Sequence, residues 1–124
     1  MALSLWIVAG SALGGLARYW MSVAVAMLAG VGFPWGTLLI NVLGSLVIGL
    51  VGASTNAQDH ANLRAFLMVG VCGGFTTFSS FSLQTLELLQ GGRVASALAY
   101  IGLSAVVCLL AVWAGWSIGR PGWV

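Results

Sequence analysis

Four long apolar runs alternate with short polar or glycine-proline breaks along this chain. A helix needs about 20 mostly apolar residues to cross a bilayer, and each run meets that length. The pattern predicts spans over 3–29, 35–53, 63–89 and 94–117, together one four-helix unit over 1–124. Gly30 to Pro34 reads as a turn, because glycine and proline punctuate regular structure. Residues 54–62, with Asp59 and His60, form a polar loop in which a solvated histidine is the plain reading. Gln90 to Arg93 is a tight turn, and Arg120, Pro121 and Gly122 end the last run. The opening Met-Ala-Leu-Ser-Leu-Trp lacks the basic start of a signal peptide and reads as the beginning of a retained helix.

The third run carries an interruption. Gly70 to Phe81 reads Gly-Val-Cys-Gly-Gly-Phe-Thr-Thr-Phe-Ser-Ser-Phe. Irregular backbone at membrane depth is tolerated only where protein buries it or where it lines a cavity. A helix break here, suggested by Gly73-Gly74 beside the hydroxyls, is therefore a candidate ion or solute site.

Composition narrows the class. The chain is 124 residues long, 60% hydrophobic and 5% charged; its mean hydropathy is +1.09. A soluble fold of this size is mostly surface and cannot hide so much apolar area. An all-α, multi-pass protein of the cell (inner) membrane follows. The net charge of +2 comes from Arg18, Arg64, Arg93 and Arg120 against Asp59 and Glu87, with no lysine and no basic cluster to hold nucleic acid. With four spans, Arg64 and Arg120 fall on one side and Arg93 on the other, while Arg18 lies inside the first run. The arginine bias that sets orientation is close to nil, which is compatible with insertion both ways round. Two antiparallel copies would then supply the inverted symmetry on which transport pathways are often built.

The polar residues within the runs carry the chemistry, each against a plainer alternative. Thr76, Thr77, Ser79, Ser80 and Ser82 place five hydroxyls in seven residues. They either bond back to their own helix or accompany carbonyls turned inward, which can replace a cation's water shell; a small cation such as Na⁺ suits an oxygen-only site. Phe75, Phe78 and Phe81 recur every third residue on one face. They are packing residues, or rings whose positive edges favour an anion weakly. Asn41 is a cross-link between helices or a pore-lining amide. Tyr100, Ser104 and Cys108 form a thin polar stripe at helical spacing. Arg18 reaches for the interface or focuses anions in a vestibule. Cys72 and Cys108 lack metal-ligand spacing and read as small buried residues. Gly10 with Gly14, and Ser11 with Gly15, are small-residue pairs that let helices approach closely. No placed set of acids, bases and nucleophiles emerges, so the chain does not read as an enzyme.

At three places the sequence resembles the Fluc/CrcB family of fluoride channels. These are Gly-Ser-Ala-Leu-Gly-Gly-Leu-Ala-Arg-Tyr over 10–19, Gly-Thr-Leu-Leu-Ile-Asn-Val-Leu-Gly-Ser over 36–45, and the Gly70 to Phe81 segment. The resemblance implies four transmembrane helices with the third broken, in an antiparallel dual-topology homodimer with two fluoride pathways. It implies a structural Na⁺ held by main-chain oxygens of Gly73 and Thr76 from both subunits. It gives Phe78 and Phe81 as the rings along each pathway and Asn41 as the pore asparagine. Thr77 and Ser80 become its third-span hydroxyls, Tyr100 and Ser104 the fourth-span polar track, and Arg18 the vestibule arginine. The chain departs from the family pattern at Gln84, where relatives commonly carry Glu, and at Cys108, where a hydroxyl is frequent. Ser11 and Gly15 stand where Gly and Ala are common.

The expectation is a passive, fluoride-selective channel that lets cytoplasmic fluoride leave. The rival is a proton-coupled small multidrug exporter, which needs a titratable group deep in the bilayer; Glu87, near a span end, is its only candidate. A structural or assembly subunit would leave the intramembrane polar residues unexplained.

Overall fold

The computed structural model describes residues 2–120; the Pro121-Gly122 end signal lies outside them. Four helical spans long and apolar enough to cross a membrane run over Ala2–Ala29, Trp35–Ser54, Ala61–Gln90 and Val94–Gly119. The protein is an all-α, multi-pass membrane protein.

Helix α1 (Ala2–Ala29) ends at Gly30, whose φ of +76° only glycine adopts without strain. Pro34 then precedes α2 (Trp35–Ser54), where its missing N–H costs nothing. Thr55 leaves α2 in extended conformation, its hydroxyl donating to the Val51 carbonyl at 2.6 Å. Arg64 Nη1 ties this end down, donating to the Thr55 carbonyl at 2.8 Å and to its hydroxyl at 2.9 Å. At the opposite face Gly92, with φ +73°, turns the chain into the last helix.

The third span is four helical pieces and a break. A short α3 (Ala61–Arg64) widens into a π-helical segment, Ala65–Cys72, in which the Gly73 N–H still reaches back to the Met68 carbonyl. A single turn, α4 (Gly73–Phe75), follows, then two extended residues, then α5 (Phe78–Gln90). The last span is α6 (Val94–Gly119).

The helices pack as two parallel pairs. Helix α2 contacts α6 most extensively, and α1 lies along the π segment and α4. Both seams are built on glycine. A Cβ on Gly14 would strike the Val71 carbonyl and come within 2.8 Å of the Phe75 nitrogen; one on Gly10 would lie 2.9 Å from the Gly70 Cα. Gly74 faces the same seam, where its Cβ would lie 2.6 Å from the Ser11 carbonyl oxygen. Across the other pair, Gly49 meets the Val112 carbonyl and Gly115 meets the Leu46 carbonyl. In lipid, apolar burial gives no drive between helices, so close backbone packing has to supply it. Gly14→Ala is expected to lower thermal stability in detergent by roughly 1–3 kcal/mol, the usual cost of overpacking. Gly15→Ala, whose Cβ meets nothing within 4 Å, should leave the melting curve unchanged.

One small core lies at the Gly92 end, where Leu38, Leu88, Ala97 and the fully buried Tyr100 pack with Phe33, Val42 and Phe81. Most other large apolar side chains, among them Leu13, Trp20, Leu109 and Trp113, face outward, as residues bathed in hydrocarbon should.

Two details differ from the sequence reading. The Gly73-Gly74 pair does not form the break: both residues are helical. The smallness of Gly74 serves the α1 seam, and the chain departs from helix two residues later, at Thr76. The π segment was not foreseen, and its Ala-Phe-Leu-Met-Val-Gly-Val-Cys sequence carries no mark of it.

Candidate functional site

The break falls on Thr76 (φ −78°, ψ 158°) and Thr77 (φ −153°, ψ 115°). In a continuous helix the Thr77 N–H would donate to the Gly73 carbonyl. Here it donates to Asn41 Oδ1 at 2.8 Å, and Asn41 Nδ2 returns a bond to the Thr77 carbonyl at 3.1 Å. One side chain thus satisfies both main-chain polar groups of the residue that leaves the helix. Buried peptide groups demand partners, and α2 supplies them 36 residues away in sequence. The asparagine is a cross-link, and what it cross-links is the break itself.

Beyond the break the helix restarts on a cap. Thr77 Oγ1 accepts from the Ser80 N–H at 3.1 Å, satisfying one orphan donor of α5, and donates to Ser80 Oγ at 3.0 Å. Before the break, Thr76 bonds back to the Cys72 carbonyl through both its N–H and its hydroxyl. Gly44 makes room for Thr76, since a Cβ there would strike the threonine methyl.

A cavity of about 740 Å³ opens beside the break. Asn41, Gly73, Thr76, Thr77, Phe78, Phe81, Ser104 and Cys108 are among its lining residues, and none of the lining side chains carries a charge. Seven of the ten residues to which the resemblance gives a role, all of these but Cys108, therefore meet on one surface. Ser80 joins them through Thr77. Tyr100 stands behind Phe81, ring centroids 5.1 Å apart. Arg18, half-buried on α1, lines neither this cavity nor the second one described below.

The phenylalanine stripe is interrupted. Phe78 and Phe81 stack with centroids 5.4 Å apart and share the cavity. Phe75 lies across the break and packs toward Gly44 on α2, because helical spacing does not carry through two extended residues. Phe78 is 78% exposed in the single chain.

Ser104 is singular. Ser54, Thr55, Thr76, Ser82, Thr85 and Ser117 all donate to the carbonyl four residues earlier, the usual arrangement of hydroxyls in membrane helices. Ser104 is buried at 9% exposure, faces the cavity, and its Oγ has no hydrogen-bond partner. Buried polar atoms are rarely left so.

Gln84 was noted in the sequence only as a departure from a pattern. It accepts a 2.9 Å hydrogen bond from the Tyr100 hydroxyl. Thr37, buried on α2, was missed. Gln84 and Thr37 line a second cavity on the far side of Tyr100. Among the described residues no group of three or more His, Cys, Asp or Glu is placed to hold a metal, so any cation here would rest on neutral oxygens. The Gly73 carbonyl, denied the Thr77 amide, is one such oxygen.

These features fall within a known family. A family model described as CrcB-like protein, Camphor Resistance (CrcB), matches residues 5–116. A fluoride-specific ion channel FluC of Methylocella silvestris is 56% identical over 115 residues, covering 90% of this chain and 88% of the relative. The FluC of Rhodospirillum rubrum is 51% identical over 115 residues, 90% of this chain and 89% of the relative. That of Paramagnetospirillum magneticum is 52% identical over 111 residues, 86% of each. With its break, its asparagine brace and its glycine seams described, the chain belongs to the CrcB family, as its three motifs implied.

Proposed function

We propose that this protein is a fluoride-selective channel through which cytoplasmic fluoride leaves passively, and that it conducts as an antiparallel, dual-topology homodimer around a structural Na⁺. It is a conduit, not an enzyme. The observation that carries the reading is the unpartnered Ser104 hydroxyl in an uncharged cavity. A buried O–H kept free of the usual carbonyl is a donor held ready for an anion.

Fluoride is small and tightly hydrated, so it enters only where close donors replace its water. Ser104 offers one hydrogen. Asn41 Nδ2 has a second hydrogen beyond the one given to Thr77. The edges of Phe78 and Phe81 carry partial positive charge. Thr77 and Ser80 hold the restart of α5, and Tyr100 continues the polar track toward Gln84. None of these groups is ionised, and weak multiple contacts let an ion leave as readily as it enters. In this reading Arg18 raises fluoride concentration in the vestibule by electrostatic focusing.

The Na⁺ would rest on the Gly73 and Thr76 carbonyls. The released Gly73 carbonyl fits that role, and carbonyl oxygens suit a hard cation. Two oxygens are too few to replace a hydration shell, and a second copy related by symmetry doubles them. The ion would lock the two breaks together.

The exporter alternative needs a carboxylate or histidine within the cavity, and no lining residue supplies one; Glu87 is exposed at a helix end. Purified protein in liposomes loaded with fluoride is expected to release it rapidly down its gradient, read by a fluoride electrode, while chloride stays inside. Fluoride retention by protein-bearing vesicles would reject the channel. Efflux of an organic cation driven by a pH gradient would favour the exporter.

A further inference from the structure

The second cavity, about 460 Å³, lies between the α1–α2 loop, the end of α5 and the α5–α6 turn, so it opens at one membrane face. It has room for roughly fifteen waters at ~30 Å³ each. Phe33, Thr37 and Gln84 form its inner wall, with Glu87 and Arg93 also on its lining. Behind that wall, Tyr100 packs edge-on against Phe33 at 5.5 Å, lies 5.1 Å from Phe81 and donates to Gln84. Phe81 in turn lines the cavity beside the break. A single layer, the Phe81–Tyr100–Gln84 set, thus separates the two cavities.

We infer that this second cavity is the aqueous mouth of the fluoride path on the loop face, and that Arg93 is its anion-collecting residue. The inference rests on the channel reading above. Arg93 Nη1 donates to the Gly32 carbonyl, and Nη2 lies 3.4 Å from Ser96 Oγ. Neither partner is a carboxylate, so the positive charge is positioned but not neutralised by its hydrogen bonds. A guanidinium has five donors, and the remainder stay free for an anion. Glu87 on the same lining opposes it. The mouth therefore carries an accelerating charge and a braking one, and both act before the uncharged section of the path. Charges lining a cleft raise the local concentration of the opposite ion, and salt screens them.

The test is fluoride efflux from proteoliposomes at low ionic strength, where the screening length is ~30 Å at 0.01 M, and near 1 M, where it is ~3 Å. Na⁺ is held constant and N-methylglucamine gluconate raises the salt. Arg93→Gln, which keeps an amide donor but loses the charge, is expected to slow efflux by about tenfold at low salt, the modest end of focusing effects. Near 1 M it should lie within about twofold of wild type. Arg93→Lys, which keeps the charge but loses the forked contact, should stay near wild type in both. Glu87→Gln should speed efflux at low salt only. If Arg93→Gln matches wild type at low salt, or if the Gln and Lys variants slow equally at every salt, Arg93 is at most a loop tether and the inference is wrong. A wild type that moves no fluoride overturns the channel reading, and the mouth with it.

Discussion

Asn41→Ala is expected to abolish conduction, with fluoride efflux from proteoliposomes falling at least about 100-fold. The substitution removes both bonds to Thr77, the 2.8 Å bond from its N–H and the 3.1 Å bond to its carbonyl. Each buried group left without a partner costs roughly 1–3 kcal/mol. The chain has an available escape. The Thr77 N–H can return to the Gly73 carbonyl, closing the helix across 76–77 at the expense of the oxygen proposed for Na⁺. A closed helix also carries Thr77, Phe78 and Ser80 to new directions. Losing roughly 2.7 kcal/mol of preference for the broken form is enough for a 100-fold change, since each 1.36 kcal/mol is tenfold. Two readouts should therefore fall together, efflux and retention of ²²Na⁺ by the purified protein. Asn41→Asp separates the two halves of the brace, because a carboxylate still accepts from the Thr77 N–H but repels its carbonyl. Near-normal efflux in Asn41→Ala, with the protein folded, would mean that the break holds itself.

The parts of this architecture that the sequence discloses are those that lipid imposes. A span must be long and apolar, so the ends of α1 and α2 could be read from Ala29-Gly30 and Pro34-Trp35. Small residues must line helix seams, so Gly10 and Gly14 were legible as a contact face, though not their partners Gly70, Val71 and Phe75. That the third span breaks was readable from glycine and hydroxyl density. Where it breaks was not, because glycine serves close packing and conformational freedom alike, and here packing claims Gly74 while Gly73 stays helical. What depends on distant partners stayed hidden. Nothing local to Asn41 names Thr77, and nothing in the Gln90–Arg93 turn points to the Gly32 carbonyl, 61 residues earlier. Tyr100 and Gln84, 16 residues apart on two helices, likewise meet only in the fold.

Phe81→Ile should also cost at least about 100-fold in efflux while leaving the protein folded. The ring sits where three surfaces meet: Phe78 at 5.4 Å, Tyr100 at 5.1 Å and the cavity beside the break. Isoleucine fills much of the same volume, so the small core of Leu38, Leu88, Ala97 and Tyr100 keeps its shape. The loss in packing is the aromatic share, about 0.5–1.5 kcal/mol per ring pair beyond area, which a two-seam glycine-packed bundle can absorb. What isoleucine lacks is a polarised edge. An anion that has left its water for Ser104 and Asn41 then meets an aliphatic wall, and the barrier rises by the full cost of the missing contact. About 100-fold corresponds to roughly 2.7 kcal/mol, comparable to a desolvated electrostatic contact. Phe81→Tyr keeps the ring and separates charge distribution from volume; it should conduct within about tenfold of wild type, a loss of roughly 1.4 kcal/mol at most. The elution position of each variant is compared with that of the wild type by size exclusion before each efflux trace. An isoleucine variant that elutes normally and releases fluoride at the wild-type rate would take the ring off the pathway, and the ion would have to pass Ser104 by another side.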